Sequence, residues 1–362
     1  MHPDLADYPE VRNAPMKQWK SALFVAFIFI ISLTACEPSP SSSQGGVSRL
    51  DTVKNRGKLI CGIDGSLPGF SFVDETGNYS GIDVDVCRAV AAALFDDPNA
   101  VEYRSLNATE RFTALSGGEV DILSRNTTWT ISRDTALGME FAPTIFYDGQ
   151  GVMTRKNSGI TSVQNLAGKT LCLEAGTTTE LNLTDKLREV GVKPEILTFQ
   201  TSDPTYAAYA QQRCDAVTAD KSKLMARRST LPQPDDHVIL EITLSKEPLG
   251  PVTINNDSRW FDVVKWSVFT LIEAEELGIT QGNLEESKQS ENVNIRRFLG
   301  LEEDLGAGLG LSRDFTERII KHVGNYQDVY DRNLGEQSVF KLPRGQNELW
   351  SRGGLLYSPP FR

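Results

Sequence analysis

The sequence predicts an α/β protein of two similar lobes, joined by a two-strand hinge, with a ligand cleft between them. Strand-like and helix-like segments alternate along the chain, which is typical of a sheet with parallel strand pairs. The pattern of Gly57–Cys61 (GKLIC) also returns about 110 residues later as Gly168–Cys172 (GKTLC). A repeat of the same order of elements indicates two lobes built in the same way.

In the first lobe, Lys58–Ile63 (KLICGI) is a short apolar run that predicts a buried strand. Asp83 is the predicted N-cap of a helix with apolar residues at helical spacing. Asn107 and Glu110 form a capping-box pattern that opens a second helix. Glu119–Ser124 (EVDILS) predicts the next strand.

The second lobe repeats this order. After the strand at Gly168–Cys172, a helix is predicted from Thr178, and another helix contains Tyr206 and Tyr209. Cys214–Val217 (CDAV) then corresponds to the strand at Val120–Leu123 (VDIL) of the first lobe.

Two β-like runs bound the second lobe, Gln150–Thr154 and Gly250–Ile254, and we expect these crossings to form the hinge. Beyond them, two helical stripes are expected to return to the first lobe. One is Trp260, Val264, Val268 and Leu271; the other is Phe315, Ile319, Val323, Tyr326 and Tyr330, with Ser312 as N-cap. The predicted boundaries are 50–150 for the first part of lobe 1, 151–253 for lobe 2 and 254–362 for the return to lobe 1 and the C-terminal helices.

Composition narrows the function. The chain has 362 residues and a formal net charge of −11, with 48 acidic and 37 basic residues. Nucleic-acid binding is not expected, because it requires a basic face. With three His and no C-x-x-C motif, no metal site is expected. We find no G-x-S-x-G elbow, P-loop or H-E-x-x-H motif, and no cofactor is expected.

The start of the chain predicts export. The uncharged, largely apolar segment Ala22–Leu33 is shorter than the ~20 residues that a membrane-spanning helix needs, and Lys17 and Lys20 precede it. Leu33–Cys36 (LTAC) resembles the lipobox of bacterial lipoproteins, which predicts a signal peptide over 1–36 and a lipid anchor at Cys36. An ordinary secretory signal is the alternative.

Residues 37–49 are rich in Pro, Ser and Gly and predict a flexible tether. Acidic residues precede Met16, and Met16 followed by Lys17 is a more natural start than Met1. The exported, tethered body is expected at the cell envelope, held near a membrane surface.

Polar residues after the predicted strands suggest a site for a zwitterion. The loop Arg125–Arg133 is dense in hydroxyl groups and ends in an Arg that can bind a carboxylate. Ala175–Thr179 lies between a strand and a helix, where free amides favour an anion, and Asp220 can hold an ammonium group. The alternatives are an Arg133 paired with Asp134, routine helix capping by the Thr residues, and a solvated Asp.

Several long stretches resemble the solute-binding proteins of bacterial ABC transporters, in the polar amino-acid family and its general L-amino-acid branch. They are SRNTTWTISRDTALGMEFAPTIFYDGQGVMTRK, CLEAGTTTELNL, LSKEPLGPVTINND, RWFDVVKW and IIKHVGNYQDVYDRNLG, and the likeness runs from about Leu50 to Arg362. This resemblance implies the type 2 periplasmic binding protein fold, whose lobes close on the ligand.

The resemblance also implies ligand-binding residues. Arg133 would bind the α-carboxylate, Thr128 either polar group from the same loop, and Asp220 the α-ammonium. Additional contacts are implied for Thr177 and Thr178 in lobe 2, and for Asp64 and Phe70 near the ligand side chain. Selective members often place an aromatic residue three positions after Asp64, where this chain has Leu67. We therefore expect broad specificity, and a ligand ranking that changes when Leu67 is substituted.

The predicted function is to bind free L-amino acids outside the cytoplasm and deliver them to the permease subunits of an ABC transporter. A periplasmic monomer, lipid-anchored to a membrane, is expected. The alternative from another class is an exported dehydratase-like enzyme on the same scaffold, which would need a general acid such as Asp64 or Asp220. A sensor domain is a third possibility.

Four Cys residues remain after Cys36, and they allow three pairings. We predict Cys61–Cys87 and Cys172–Cys214, one disulfide in each lobe. The other pairings would tie the lobes together and oppose closure. Four buried, unpaired thiols are the alternative.

Overall fold

The structure is a computed structural model that describes residues 47–362. The predicted signal peptide, the lipid anchor at Cys36 and most of the predicted tether lie outside this range. The last tether residues were predicted wrongly: Ser48 is the N-cap of a helix that begins at Arg49. The Ser48 hydroxyl donates to Asp257 over 2.8 Å, which fixes this helix to the C-terminal half of the chain.

Helices and strands alternate through most of the chain, as predicted. The helices are α1 (Arg49–Arg56), α2 (Ile82–Phe95), α3 (Arg111–Ser116), α4 (Thr178–Val190), α5 (Ser202–Ala210), α6 (Lys221–Arg228), α7 (Ser258–Glu276), α8 (Leu284–Ser287), α9 (Val293–Phe298), α10 (Phe315–Val323) and α11 (Tyr326–Asn333). The strands are β1 (Leu59–Ile63), β2 (Ser66–Leu67), β3 (Ser71–Val73), β4 (Tyr79–Ser80), β5 (Val101–Ser105), β6 (Ile122–Leu123), β7 (Met139–Phe141), β8 (Phe146–Arg155), β9 (Thr170–Glu174), β10 (Glu195–Phe199), β11 (Ala216–Asp220), β12 (His237–Ile239), β13 (Lys246–Leu249) and β14 (Val252–Ile254).

Two main sheets define two lobes. Lobe 1 surrounds the sheet with strand order β5-β1-β6-β14-β7, in which β1 is parallel to β5 and β6. Lobe 2 surrounds the sheet β10-β9-β11-β8-β12, in which β9 is parallel to β10 and β11. Parallel strands place the loops at their carboxyl ends on one edge of each sheet, where ligands of open α/β sheets bind.

A two-strand ribbon connects the sheets. The first part of β8, Phe146–Gly149, pairs antiparallel with β13. From Gln150 onward, β8 pairs with β11 in lobe 2, whereas β14 pairs with β6 and β7 in lobe 1. The segments 150–154 and 252–254 therefore lie within the two sheets, and the paired strands 146–149 and 246–249 run between them.

The C-terminal helices pack on lobe 1. Trp260 and its stripe lie on α7, and Trp260 donates its indole N–H to the backbone oxygen of Asp121 over 2.8 Å. The largest buried apolar cluster joins Cys61 and Val86 to Trp260, Ile319 and Tyr330. These contacts bring the end of the chain back to the core in which it began.

Some predicted helix limits were wrong. The stripe from Phe315 to Tyr330 is two helices, α10 and α11, because Gly324 adopts φ +83° and Asn325 caps α11 through a capping box with Asp328. Asp314, not Ser312, is the N-cap of α10.

Asp83 is not an N-cap either; it lies in the first turn of α2, which begins after Gly81. Gly81 has φ +124°, and a Cβ there would lie 1.9 Å from the backbone oxygen of Phe70. The close approach requires glycine and fixes the start of α2. Asn107 and Glu110 form the reciprocal hydrogen bonds of the predicted capping box, 2.8 and 3.0 Å long, in the turn before α3, whose N-cap is Glu110.

Both predicted disulfides are present. Cys61–Cys87 joins β1 to α2, and Cys172–Cys214 joins β9 to the segment before β11. Each bond stays within one lobe, so neither restricts movement of one lobe against the other. In the part of the chain that the structure describes, no helix is both long and apolar enough to span a membrane.

Candidate functional site

A cavity lies between the two lobes, beside the carboxyl ends of β9 and β11 and the loop after β6. Its lining is highly charged. Six Arg, Lys, Glu or Asp side chains contribute to it: Arg111, Arg125, Arg133, Lys223, Glu174 and Asp220.

Five of the predicted ligand-binding residues line this cavity. Thr128 and Arg133 come from lobe 1, and Thr177, Thr178 and Asp220 come from lobe 2. The structure therefore brings together side chains that are up to about 90 residues apart in the chain, at the place where the two lobes face each other.

Arg133 lies in the turn Ser132–Ala136 and is 7% exposed. One guanidinium nitrogen donates to the backbone oxygen of Thr128 over 2.7 Å, and the guanidinium lies 5.2 Å from the centre of the Phe112 ring. Burial lowers the pKa of Arg133 to about 10, although the carboxylates of Glu247 and Asp220 oppose this shift. The alternative, a pairing of Arg133 with Asp134, is not found; the Asp134 carboxylate accepts a hydrogen bond from the Trp129 indole instead. Arg133 is thus a buried cation available to an anionic ligand.

Asp220 ends β11 and is also buried, at 8% exposure. Its Oδ2 accepts a hydrogen bond from the Asn126 amide over 2.9 Å. Burial raises the pKa of Asp220 well above its usual value, and the nearby carboxylates of Asp148 and Glu247 raise it further. A cation placed beside Asp220 would stabilise its ionised form.

The threonine hydroxyls surround the cavity from both lobes. Thr128 and Thr178 both donate to the buried carboxylate of Glu247, and their hydroxyl oxygens lie 3.4 Å apart. Thr177 is the N-cap of α4, but its hydroxyl donates to the backbone oxygen of Glu174 over 2.8 Å and accepts no capping hydrogen bond. The first amides of α4 thus gain no capping bond from the Thr177 side chain.

Asp64 and Phe70 are not among the residues that line this cavity. Asp64 forms an ion pair with Arg125 over 2.9 Å; burial disfavours its ionisation, but Arg125, Lys223 and hydrogen bonds from Ser66 lower its pKa to about 2. The Phe70 ring is buried and packs edge-on against Phe146 with 5.2 Å between ring centres. The apolar ring of Phe70 is part of the core of lobe 1, and its predicted contact with the ligand side chain stays a prediction.

Leu67 also lies away from the lining of this cavity. It lies in β2, is completely buried and belongs to the apolar core of lobe 1. A leucine there contributes to packing and does not contact the cavity.

Sequence reasoning missed four charged residues of the lining. Glu174 accepts hydrogen bonds from Lys223 over 2.7 Å and lies 3.5 Å from Arg125. Arg125 is the first residue of the loop Arg125–Arg133, and Glu174 directly precedes Ala175–Thr179, so the strand-end argument was capable of assigning both to the site. Arg111 is the first residue of α3, and Lys223 lies within α6; their sequence positions carry no comparable signal.

Three hydrogen bonds or ion pairs cross the cavity from lobe 1 to lobe 2: Asn126 to Asp220, Arg125 to Glu174, and Thr128 to Thr178. Over residues 47–362, no group of three or more His, Cys, Asp or Glu side chains is arranged to hold a metal ion. Two α/β lobes around a buried cavity with a cation on one side and a carboxyl on the other define a binding protein for a small charged solute.

Comparison with known proteins agrees with this class. Residues 59–231 match the model of the bacterial extracellular solute-binding proteins, family 3. The chain is 48% identical over 323 residues to the general L-amino acid-binding periplasmic protein AapJ of Rhizobium johnstonii, a match that covers 89% of this chain and 95% of the relative. It is 46% identical to the glutamate/glutamine/aspartate/asparagine-binding protein BztA of Rhodobacter capsulatus, covering 93% and 99%.

A solved structure has the same fold. The periplasmic binding protein from Brucella ovis with glutathione bound is 49% identical and superposes with a TM-score of 0.85, covering 88% of this chain and all of that one. The chain belongs to the bacterial extracellular solute-binding proteins, family 3. It is a binding protein and not an enzyme, and the dehydratase alternative finds no support among these relatives.

Proposed function

We propose that the protein binds free L-amino acids over a broad range and delivers them to the permease of an ABC transporter. The observation that carries this proposal is the pair of buried, opposite groups at one cavity, Arg133 from lobe 1 and Asp220 from lobe 2. Every α-amino acid carries an α-carboxylate and an α-ammonium group, so such a pair recognises the common part of all of them.

The proposed roles follow from this pairing. Arg133 binds the α-carboxylate through the guanidinium nitrogens that the Thr128 carbonyl does not engage. Asp220 holds the α-ammonium. The hydroxyls of Thr128, Thr177 and Thr178 and the backbone amides at the start of α4 surround the α-carboxylate and the α-ammonium. Asp64 acts through Arg125, which it orients by the 2.9 Å ion pair.

The relatives support a broad range of ligands. AapJ is described as a general L-amino acid-binding protein, and BztA as binding four acidic and amide amino acids. Glutathione is a second candidate, because the Brucella ovis structure at 49% identity contains it. Its γ-glutamyl end carries an α-carboxylate and an α-ammonium, so it presents the same zwitterion to Arg133 and Asp220.

We further propose that the protein is a periplasmic monomer, attached to a membrane by a lipid on Cys36 after removal of the signal peptide. The domain boundaries 50–150, 151–253 and 254–362 belong to the same proposal. The strand pairing suggests that the movable joint is the ribbon of residues 146–149 and 246–249.

The test is calorimetry of the ligand-free, purified protein with each of the twenty amino acids and with glutathione, followed by chromatography of the mixtures. We expect heat of binding for many L-amino acids and no new product. Failure of all of them to bind would refute the amino-acid proposal. Loss of substrate with a new product would revive the enzyme alternative.

A further inference from the structure

Arg111 has a role in the cavity that recognition of a simple zwitterion does not explain. It is only 3% exposed and lines the cavity between the lobes. Its guanidinium lies 4.8 Å from the centre of the Phe112 ring, and Arg133 approaches the same ring at 5.2 Å. Two guanidinium groups of lobe 1 therefore lie beside the same aromatic ring and both line the cavity.

The four cations of the lining differ in how they are paired. Lys223 and Arg125 both reach Glu174, and Arg125 also pairs with Asp64 over 2.9 Å. For Arg133, the hydrogen-bond acceptor is only a backbone carbonyl. For Arg111, no ion pair or side-chain hydrogen bond is found within residues 47–362, and its Nε is buried without an acceptor.

A buried cation without a partner is costly, and burial together with the positive charges of Arg125 and Arg133 lowers the pKa of Arg111 well below its usual value. The α-carboxylate of an amino acid supplies one negative group, which Arg133 takes. A neutral side chain would then leave Arg111 buried and unpaired in the closed form. A side chain with its own carboxylate would pair it.

We propose that Arg111 forms a subsite for a second carboxylate, carried by the side chain of the bound amino acid. The inference rests on the proposed amino-acid function and makes it more specific. Within a broad range of ligands, the protein binds dicarboxylic amino acids, glutamate and aspartate, more tightly than the amides glutamine and asparagine. Each amide has nearly the same shape as its acid, so the difference isolates the charge.

The experiment compares glutamate with glutamine, and aspartate with asparagine, by calorimetry on the wild-type protein and on Arg111→Met. We expect the wild type to bind each acid at least about tenfold more tightly than its amide, as close, desolvated charge pairs do. In Arg111→Met the ratio should fall to about one, while affinity for glutamine stays the same or rises because the unpaired cation is gone. Arg111→Lys should retain part of the preference.

Arg104→Met is the matched control, because Arg104 lies on β5 of the same lobe with its side chain 59% exposed. It should keep the wild-type ratio. Thermal unfolding of each variant without ligand verifies that it is folded. The acid-to-amide affinity ratio of the wild-type protein is a test that needs no variant.

A titration of glutamine in the presence of acetate distinguishes a carboxylate carried by the ligand from a free anion. We expect the added acetate to have no effect on glutamine affinity.

Several results would overturn the inference. If glutamine binds and glutamate binds no more tightly, Arg111 has no carboxylate subsite, although the proposed function stands. Equal losses for glutamate and glutamine in Arg111→Met would mean that Arg111 shares the α-carboxylate with Arg133. Acetate that strengthens glutamine binding would point to an independent anion. If no amino acid binds, the proposed function fails and this inference fails with it.

Discussion

Replacement of Arg133 by Met tests whether one buried guanidinium holds the carboxylate that all amino acids share. Met occupies a similar length without charge. We expect affinity for every amino acid to fall by about 2–5 kcal/mol, the usual result of truncating one partner of a buried charge pair. This corresponds to a loss of about 30-fold to several thousandfold in Kd. Because the α-carboxylate is common to all ligands, their ranking should not change.

The same substitution should not destabilise the ligand-free protein. Burial lowers the pKa of Arg133 from 12.5 to about 10, which is an unfavourable contribution of about 3 kcal/mol to the charged form. For a base with a lowered pKa, this contribution is present in full below pH 10 and therefore at neutral pH. The variant also loses the hydrogen bond to the Thr128 carbonyl, worth about 1.5–3 kcal/mol. The free energy of unfolding should therefore stay the same or rise by about 2 kcal/mol at most.

Calorimetry with alanine, glutamine and glutamate measures the first effect, and urea denaturation without ligand measures the second. Arg188→Met on α4 is the control, since its side chain is 79% exposed and distant charge loss should leave both quantities unchanged. A variant that binds all three ligands within about threefold of wild type would refute the role of Arg133. A change confined to one ligand would mean that Arg133 reads the side chain.

Three further predictions concern charge, motion and packing. The pKa of Asp220 is raised in the ligand-free protein, whereas binding of an ammonium group requires the ionised carboxylate, so ligand binding should release protons. Affinity should therefore weaken as the pH falls through that raised pKa, by up to about tenfold per pH unit. A Kd that does not change with pH, or an Asp220→Asn variant that still binds tightly, would contradict this. A saturating amino acid should reduce the radius of gyration that small-angle scattering measures, if the protein has first been freed of ligand by unfolding and refolding. An unchanged radius of gyration would indicate that the lobes do not move. Leu67→Ala should lower the free energy of unfolding by about 2–5 kcal/mol while preserving the order of ligand affinities, and a reordered ligand series would restore its predicted place near the ligand.

Local sequence patterns predicted the elements well where one short segment decides the outcome. The apolar run at Leu59–Ile63, the capping box at Asn107 and the stripe from Trp260 all formed as expected. The break between α10 and α11 was missed because an apolar stripe continues through Gly324, although glycine and the following Asn325 end one helix and begin the next. Periodicity alone does not reveal such a break.

The candidate site was predictable only in part, for a related reason. Thr128, Arg133 and Asp220 follow strands, and parallel strands of a sheet present such residues at a common edge. Phe70 and Leu67 also follow a strand, but they pack inward because apolar side chains gain more from the core of lobe 1 than from a charged cavity. Whether a loop residue faces the ligand or the core depends on tertiary packing, which spacing does not encode.

The distribution of charge across the cavity explains why a bound amino acid should favour the closed form. Arg133 belongs to the loop after β6 in lobe 1, whereas Asp220 ends β11 in lobe 2. In this arrangement of the lobes both groups are buried, and burial disfavours the charged form of each: it lowers the pKa of Arg133 and raises the pKa of Asp220. Closure without ligand therefore carries an electrostatic cost that a zwitterion removes from both sides at once. A ligand shifts a conformational equilibrium only by the difference between its affinities for the two states. The electrostatic cost of closing the empty cavity supplies that difference, and it allows ligand binding to determine whether the lobes are open or closed.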